Sequence, residues 1–134
     1  MISLKGVTKT FKRTTVLNGI NLEFAAGDRV ALIGSNGAGK TTLIRCLLGE
    51  YQFEGSISLN GENPRENRKA VLERIGFVPQ LPPPLKMPVQ QLLNFSAGVC
   101  GCSTDEMKAV AAQLGLDLEP LYKRPFEKLF GGQK

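Results

Sequence analysis

Residues 30–42 read Val-Ala-Leu-Ile-Gly-Ser-Asn-Gly-Ala-Gly-Lys-Thr-Thr, a short apolar run passing into G-x-x-x-x-G-K-T with a helical pattern directly behind it. That spacing builds a phosphate cradle. Gly34, Gly37 and Gly39 let the backbone curl so that its N–H groups converge on one point. Lys40 is placed to reach β- and γ-phosphates, and the Thr41 hydroxyl to ligate Mg²⁺. A helix beginning near Gly39 adds its positive N-terminal end to the same place.

Outward from this motif the chain alternates short apolar runs with turn signals. Arg29 to Ile33 is a continuous aliphatic stretch, the pattern of a strand covered on both faces in a parallel sheet. Upstream, Ile2, Leu4 and Val7 predict an edge strand. Thr15 to Phe24 predicts a second strand with an irregularity at Asn18-Gly19. Downstream, Leu43, Ile44, Leu47 and Leu48 keep helical spacing up to a cap at Gly49. Gly55 to Leu59 reads as a strand closed by an Asn60-Gly61 turn, Arg65 to Arg74 as a short surface helix, and Ile75 to Val78 as a further buried strand. Pro82, Pro83, Pro84 and Pro88 stiffen a connector, which reads as a rigid crossing rather than a polyproline recognition site. Val89, Leu92, Leu93 and Phe95 form a helical stripe broken by Gly98 to Gly101. Ser103 and Glu106 then form a capping box for a second helix ending near Leu114-Gly115.

Composition narrows the class. At 134 residues, with 42% hydrophobic and 22% charged residues, the chain suits one globular domain or part of a larger one. The net charge of +5 is spread over residues such as Lys9, Lys12, Arg13, Arg65, Arg68, Lys69 and Arg74. They do not cluster with aromatics, so no nucleic-acid partner is expected. Cys46, Cys100 and Cys102 include no C-x-x-C pair, and the sequence has no histidine, which argues against a thiolate metal site. Cys46 falls inside the helix after the P-loop and reads as a buried free thiol. No apolar run approaches the ~18 residues of a membrane span.

With these residues in place, the chain resembles the nucleotide-binding subunits of ATP-binding cassette (ABC) transporters, in order along its whole length. Lys9-Thr10-Phe11 resembles the loop whose aromatic ring stacks on adenine, with Phe11 standing for the usual Tyr. Leu17-Asn18-Gly19-Ile20 and Gly27-Asp28 resemble the approach to the P-loop, and Ser35-Asn36-Gly37-Ala38 is a common filling of it. Val78-Pro79-Gln80, forty residues on from Lys40, resembles the Q-loop, whose glutamine carbonyl senses Mg²⁺. Leu129-Phe130-Gly131-Gly132-Gln133 resembles the L-S-G-G-Q signature, with Phe130 where a serine would bond the γ-phosphate held by the opposite subunit. N-K-x-D, the guanine motif of GTPases, does not occur.

The resemblance implies an α/β fold of ABC-type P-loop NTPase class, incomplete. It comprises an antiparallel β edge region and a parallel core around the P-loop in residues 1–81, and a small helical subdomain in 82–134. The C-terminal half of the domain is expected to be absent. ATP is expected against Phe11 and the run Gly34, Ser35, Asn36, Gly37, Ala38, Gly39, Lys40, Thr41 and Thr42. Lys40 and Gln80 are the expected catalytic groups, Thr41 and Gln80 the Mg²⁺ ligands, and Leu129 to Gln133 the trans contact. The implied function is an ATPase subunit that drives transport through a membrane-spanning permease. Two such subunits would sandwich ATP at the inner face of the cell membrane, in the cytoplasm. The family also uses a strand ending in Asp, a catalytic Glu and a switch His, none of which is found in this sequence. An alternative is therefore a nucleotide-binding remnant without hydrolysis, and the 134-residue chain alone is expected to show no turnover.

Overall fold

A computed structural model describes residues 1–81 and 83–129. The chain divides into two compact units, Met1–Gly76 and Phe77–Lys134.

The first unit is organised by β1 (Ile2–Phe11), β2 (Thr14–Phe24) and β3 (Glu54–Leu59), a three-stranded antiparallel sheet in the order β2-β1-β3. Strict alternation would send Leu4 and Val7 to opposite faces of β1. Both are buried, at 2% and 0% exposure, because the pairing slips between them at Gly6, whose φ is +60°. The bulge returns Val7 to the core face. Side chains satisfy the backbone it disturbs. The Gly6 amide donates to Asn21 Oδ1 at 2.8 Å, Asn21 Nδ2 donates to the Gly19 carbonyl at 2.8 Å, and the Gly19 amide donates to Thr8 Oγ1 at 2.9 Å. The irregularity expected at Asn18-Gly19 is thus one side of a shift that β1 shares.

Helix α1 (Lys40–Leu47) lays Leu43 and Cys46 on this sheet, where they join Leu4, Val7, Leu17, Phe53, Ile57, Leu59 and Val71 in one core. Burial pushes the Cys46 thiol up from its usual range, with the Lys9 charge opposing the shift. The buried, unpaired thiol read from the sequence is what the structure shows. Asn60 and Gly61 turn the chain after β3 with φ of +51° and +91°, the positive pair that a two-residue type I′ turn requires. Leu59 and Glu62 exchange backbone bonds across the turn, at 2.8 and 3.0 Å. The short helix α2 (Arg68–Leu72) is capped by Asn67 and drives Val71 into the core. Two arginines, one before the helix and one at its start, bond neighbouring carbonyls. Arg65 Nη1 donates to the Phe53 carbonyl at 2.7 Å, and Arg68 Nε donates to the Leu48 carbonyl at 3.2 Å.

In the second unit, α3 (Val89–Cys100) runs through Gly98 and stops at Gly101, whose φ of +67° closes it. Helix α4 (Thr104–Gln113) begins with the expected capping box. Ser103 Oγ accepts from the Glu106 amide at 3.1 Å, and the Glu106 carboxylate accepts from the Ser103 amide at 2.7 Å. Four backbone bonds join residues 85–90 to residues 122–127. The Val89 amide donates to Arg124, Gln90 to Tyr122, Phe126 to Met87 and Glu127 to Leu85, at 3.0–3.2 Å. Val89, Leu121 and Leu129 are the buried core of this unit.

Three expectations change. The first strand is central rather than an edge, because β2 and β3 pair with its two sides. Arg29–Ile33 and Ile75–Val78 form no strand among the described residues. An aliphatic run becomes a strand only when a neighbour takes its N–H and C=O groups, and neither segment has a ladder partner here. Val30 is 58%, Ile33 91% and Val78 90% exposed. The helix expected across Arg65 to Arg74 shrinks to Arg68–Leu72; it lies on the surface as expected, with Val71 as its one buried side chain.

Two predictions follow from these cores. Ile57→Ala, at 1% exposure, should cost ~2–5 kcal/mol in urea unfolding, whereas Ile33→Ala, at 91%, should stay within ~0.5 kcal/mol. Equal costs would contradict the packing described. The Glu106 carboxyl is held below its usual range by the Ser103 amide and then by the Ser103 hydroxyl. A depressed carboxyl contributes stability above its unfolded pKa and loses it as pH falls through the folded one. The stability gap between the wild type and Glu106→Gln should therefore be open near pH 7 and narrow by about pH 3 in thermal melts followed by circular dichroism.

Candidate nucleotide site

The loop between Ile33 and Lys40 is shaped by two left-handed residues, Gly37 at φ +86° and Gly39 at φ +91°. An L side chain at such angles meets its own carbonyl. Gly39 carries a second constraint. A Cβ there would lie 3.0 Å from Leu17 Cδ2, 3.1 Å from the Val16 carbonyl oxygen and 3.2 Å from Val16 Cγ1. The end of the loop therefore rests directly on β2, and a side chain there would need β2 to give by a few tenths of an ångström. Within the loop, the Ala38 amide donates to the Ser35 carbonyl at 3.2 Å. From Gly39 the chain enters α1, and the Leu43 amide donates to the Gly39 carbonyl at 2.8 Å.

Lys40 is half-buried and its ammonium turns back over the loop. Nζ donates to the Gly34 carbonyl at 2.6 Å and to the Ser35 carbonyl at 2.7 Å. The cation is held at the mouth of the cradle by two neutral acceptors, with no carboxylate paired to it among the described residues. Thr41 is exposed in the first turn of α1 and Thr42 is half-buried. Ser35, Asn36, Gly37 and Ala38 are all exposed. The helix carries no acidic residue in its first turn, so nothing there offsets its positive end. Beside the loop, an open cleft of about 410 Å³ runs between Leu17, Ile20 and Leu22 of β2, Leu32 and Ile33, and Leu43 of α1. Its walls are largely aliphatic, and Ala38, Gly39 and Lys40 at the end of the loop line it as well.

Phe11 ends β1 with 38% of its surface exposed. Its ring meets that of Tyr51 edge-on, with centroids 5.3 Å apart and planes at 83°. Lys9 Nζ stands 4.7 Å from the Phe11 centroid. Tyr51 was not singled out by the sequence reading. No local spacing links it to Phe11, and it arrives there through the fold. Gln80 is exposed and belongs, like Leu129, to the second unit. Leu129 is buried at 5% exposure. Phe130, Gly131, Gly132 and Gln133 lie outside the described residues. The first unit thus brings together Gly34 to Thr42 in one loop-and-helix junction and holds Phe11 on its sheet. Among the described residues no group of three or more Asp, Glu, Cys or His gathers as a metal site.

Residues 17–134 match the ABC transporter family. The chain belongs to that family. It is 30% identical to an sn-glycerol-3-phosphate import ATP-binding protein of Rhizobium johnstonii, over 99% of this chain and 37% of that one. It is 33% identical to a hemin import ATP-binding protein of Roseobacter denitrificans, over 96% of this chain and 50% of that one. Among solved structures it superposes on a bacterial Atm1-family ABC exporter with ATP bound at a TM-score of 0.85 and 28% identity, over 99% of this chain and 25% of that one. It therefore spans half or less of the length of these relatives. The α/β ABC-ATPase fold class read from the sequence holds, with the antiparallel sheet as its regular part.

The Gly39 contacts make a direct prediction. Gly39→Ala should lose ~1–2 kcal/mol to the left-handed backbone and a further ~1–3 kcal/mol to the contact with β2 in chemical denaturation. Gly37→Ala, with nothing within 4 Å of its added Cβ, should lose the backbone cost alone. Equal losses in the two variants would mean that the loop does not rest on β2.

Proposed function

We propose that this chain supplies the nucleotide-binding part of a transport-coupled ABC ATPase. The observation that carries the proposal is the loop itself: left-handed Gly37 and Gly39, the N-terminus of α1, and the Lys40 ammonium poised over the mouth. In this reading the loop amides and Lys40 take the β- and γ-phosphates of ATP, with Gly34 to Thr42 as the contact run. A phosphate oxygen competes with the Gly34 and Ser35 carbonyls for the same ammonium. It wins because a charged acceptor outweighs two neutral ones. Phe11 offers an aromatic face to the base.

In this reading the exposed Thr41 hydroxyl beside Lys40 is the first unit's hard-oxygen donor to Mg²⁺, and the role of Gln80 rests on the family resemblance. A small cation of this kind completes its shell with phosphate oxygens and water, and when bound it neutralises charge on the β- and γ-phosphates. Residues 1–81 then serve as the first half of the nucleotide-binding core, and 82–134 as the helical subdomain. The import roles of the glycerol-3-phosphate and hemin relatives support transport through a membrane-embedded permease, and in the same reading a second nucleotide-binding subunit completes the ATP sandwich at the inner face of the cell membrane. Among the described residues no helix is long and apolar enough to cross a membrane, so in this reading the permease supplies the spanning segments.

One observation favours a second reading, a nucleotide-binding remnant that does not hydrolyse. Phe130 stands where a serine hydroxyl would meet the γ-phosphate in trans. The two readings share the binding site and part on turnover.

Lys40→Ala should weaken ATP binding by at least ~10–100-fold in equilibrium titration while the circular dichroism spectrum stays unchanged. Unchanged affinity would remove the P-loop from the site. ATP should be favoured only modestly over GTP, because a ring face carries no hydrogen-bond code. A strong GTP preference would overturn the adenine assignment.

A further inference from the structure

The aromatic at the end of β1 is gripped from a direction that the sequence does not reveal. Tyr51 follows α1 in the chain and packs, partly buried, against the sheet core. Its ring forms a T-shaped pair with that of Phe11, the centroids 5.3 Å apart and the planes at 83°. Its hydroxyl accepts a hydrogen bond from Arg45 Nη1 at 2.9 Å, and the Arg45 guanidinium carbon stands 5.6 Å from the Tyr51 centroid. Arg45 is five residues beyond Lys40 on α1 itself, and Glu50 steadies it with Oε2 at 3.8 Å from its Nε. Lys9 closes the cluster, its ammonium 4.7 Å from the Phe11 centroid and 5.6 Å from that of Tyr51.

These contacts run without a gap from the helix that begins at the phosphate loop to the Phe11 ring. We infer that Tyr51, held by Arg45, is a positioning residue for the nucleotide base: it fixes the Phe11 ring relative to the phosphate cradle. The inference rests on the reading that Phe11 stacks on the base. A ring at a strand end with 38% exposure has free rotamers unless something holds it. Tyr51 restricts the ring's tilt through this T-shaped contact, and Arg45 restricts Tyr51 by its hydroxyl. The phosphate-binding arm does not pass through this cluster, so the two arms of the nucleotide respond separately to its loss.

The test uses two probes, ATP and inorganic tripolyphosphate, the second reporting the phosphate arm alone. Affinities are measured for the intact protein and for Phe11→Ala, Tyr51→Leu, Tyr51→Phe and the double variant Phe11→Ala/Tyr51→Leu. Tyr51→Leu should weaken ATP ~3–10-fold and leave tripolyphosphate unchanged. Tyr51→Phe keeps the T-shaped contact and loses the Arg45 bond, so it should fall between the wild type and Tyr51→Leu. In the Phe11→Ala background, Tyr51→Leu should add nothing, because a positioning residue acts only through the group it positions. A Phe11→Ala loss confined to ATP, together with unchanged ATP affinity in Tyr51→Leu, would overturn the inference and leave the stacking reading standing. If Phe11→Ala itself leaves ATP affinity unchanged, the stacking reading fails and takes the inference with it. Equal loss of both probes in Tyr51→Leu would show a merely structural role and would also overturn it.

Discussion

The first unit depends on one close approach, the seating of Gly39 against β2. A Cβ there would crowd the Val16 carbonyl and the Leu17 side chain at 3.0–3.1 Å, so that they would have to give by a few tenths of an ångström. Because the loop ends on the sheet at this point, α1 starts at a fixed height and angle. Leu43 and Cys46, at the third and sixth positions after Lys40, then fall on the core face without further adjustment. The same seating aims the helix's N-terminal amides outward and leaves Lys40 able to fold back onto Gly34 and Ser35. Binding geometry and core packing are thus set by one contact, and neither can be altered without disturbing the other.

How much of this was legible in the sequence depends on the range of the interactions. The cradle was legible because every group that defines it lies within nine residues, and glycine, lysine and threonine each have one dominant use at that spacing. The Ser103–Glu106 box and the Asn60-Gly61 turn were legible for the same reason. The centrality of β1 was not. An antiparallel strand with one covered face shows the same alternation whether it has one neighbour or two, and β3 arrives from more than forty residues downstream. The aliphatic runs at 29–33 and 75–78 were read from side-chain type, but a ladder is made by backbone partners, and composition cannot supply those. Tyr51 was invisible for a related reason. Its meeting with Phe11 is produced by the whole sheet-and-helix arrangement and leaves no local mark.

The same distinction explains the bulge at Gly6. Leu4 and Val7 lie three apart, a spacing that puts them on opposite faces of a flat strand. The structure resolves it by inserting one left-handed residue and answering the displaced amides with Asn21 and Thr8. Gly55 sits against this irregularity, since a Cβ on it would come within 2.4 Å of the Gly6 carbonyl oxygen. Irregular backbone on one strand therefore dictates residue choice on another, far away in the chain.

The four backbone bonds between residues 85–90 and 122–127 have a mechanical meaning. They bind the stretch that follows Gln80 to the stretch that leads into Leu129, and they do so without using a side chain. Substitution along either stretch can change its surface, but the seam remains unless a proline removes one of its amide donors. A force applied to one stretch is shared by the other at once, as in a stitched hem rather than a pair of loose threads. Two parts of the chain separated by more than thirty residues are thereby joined through backbone alone.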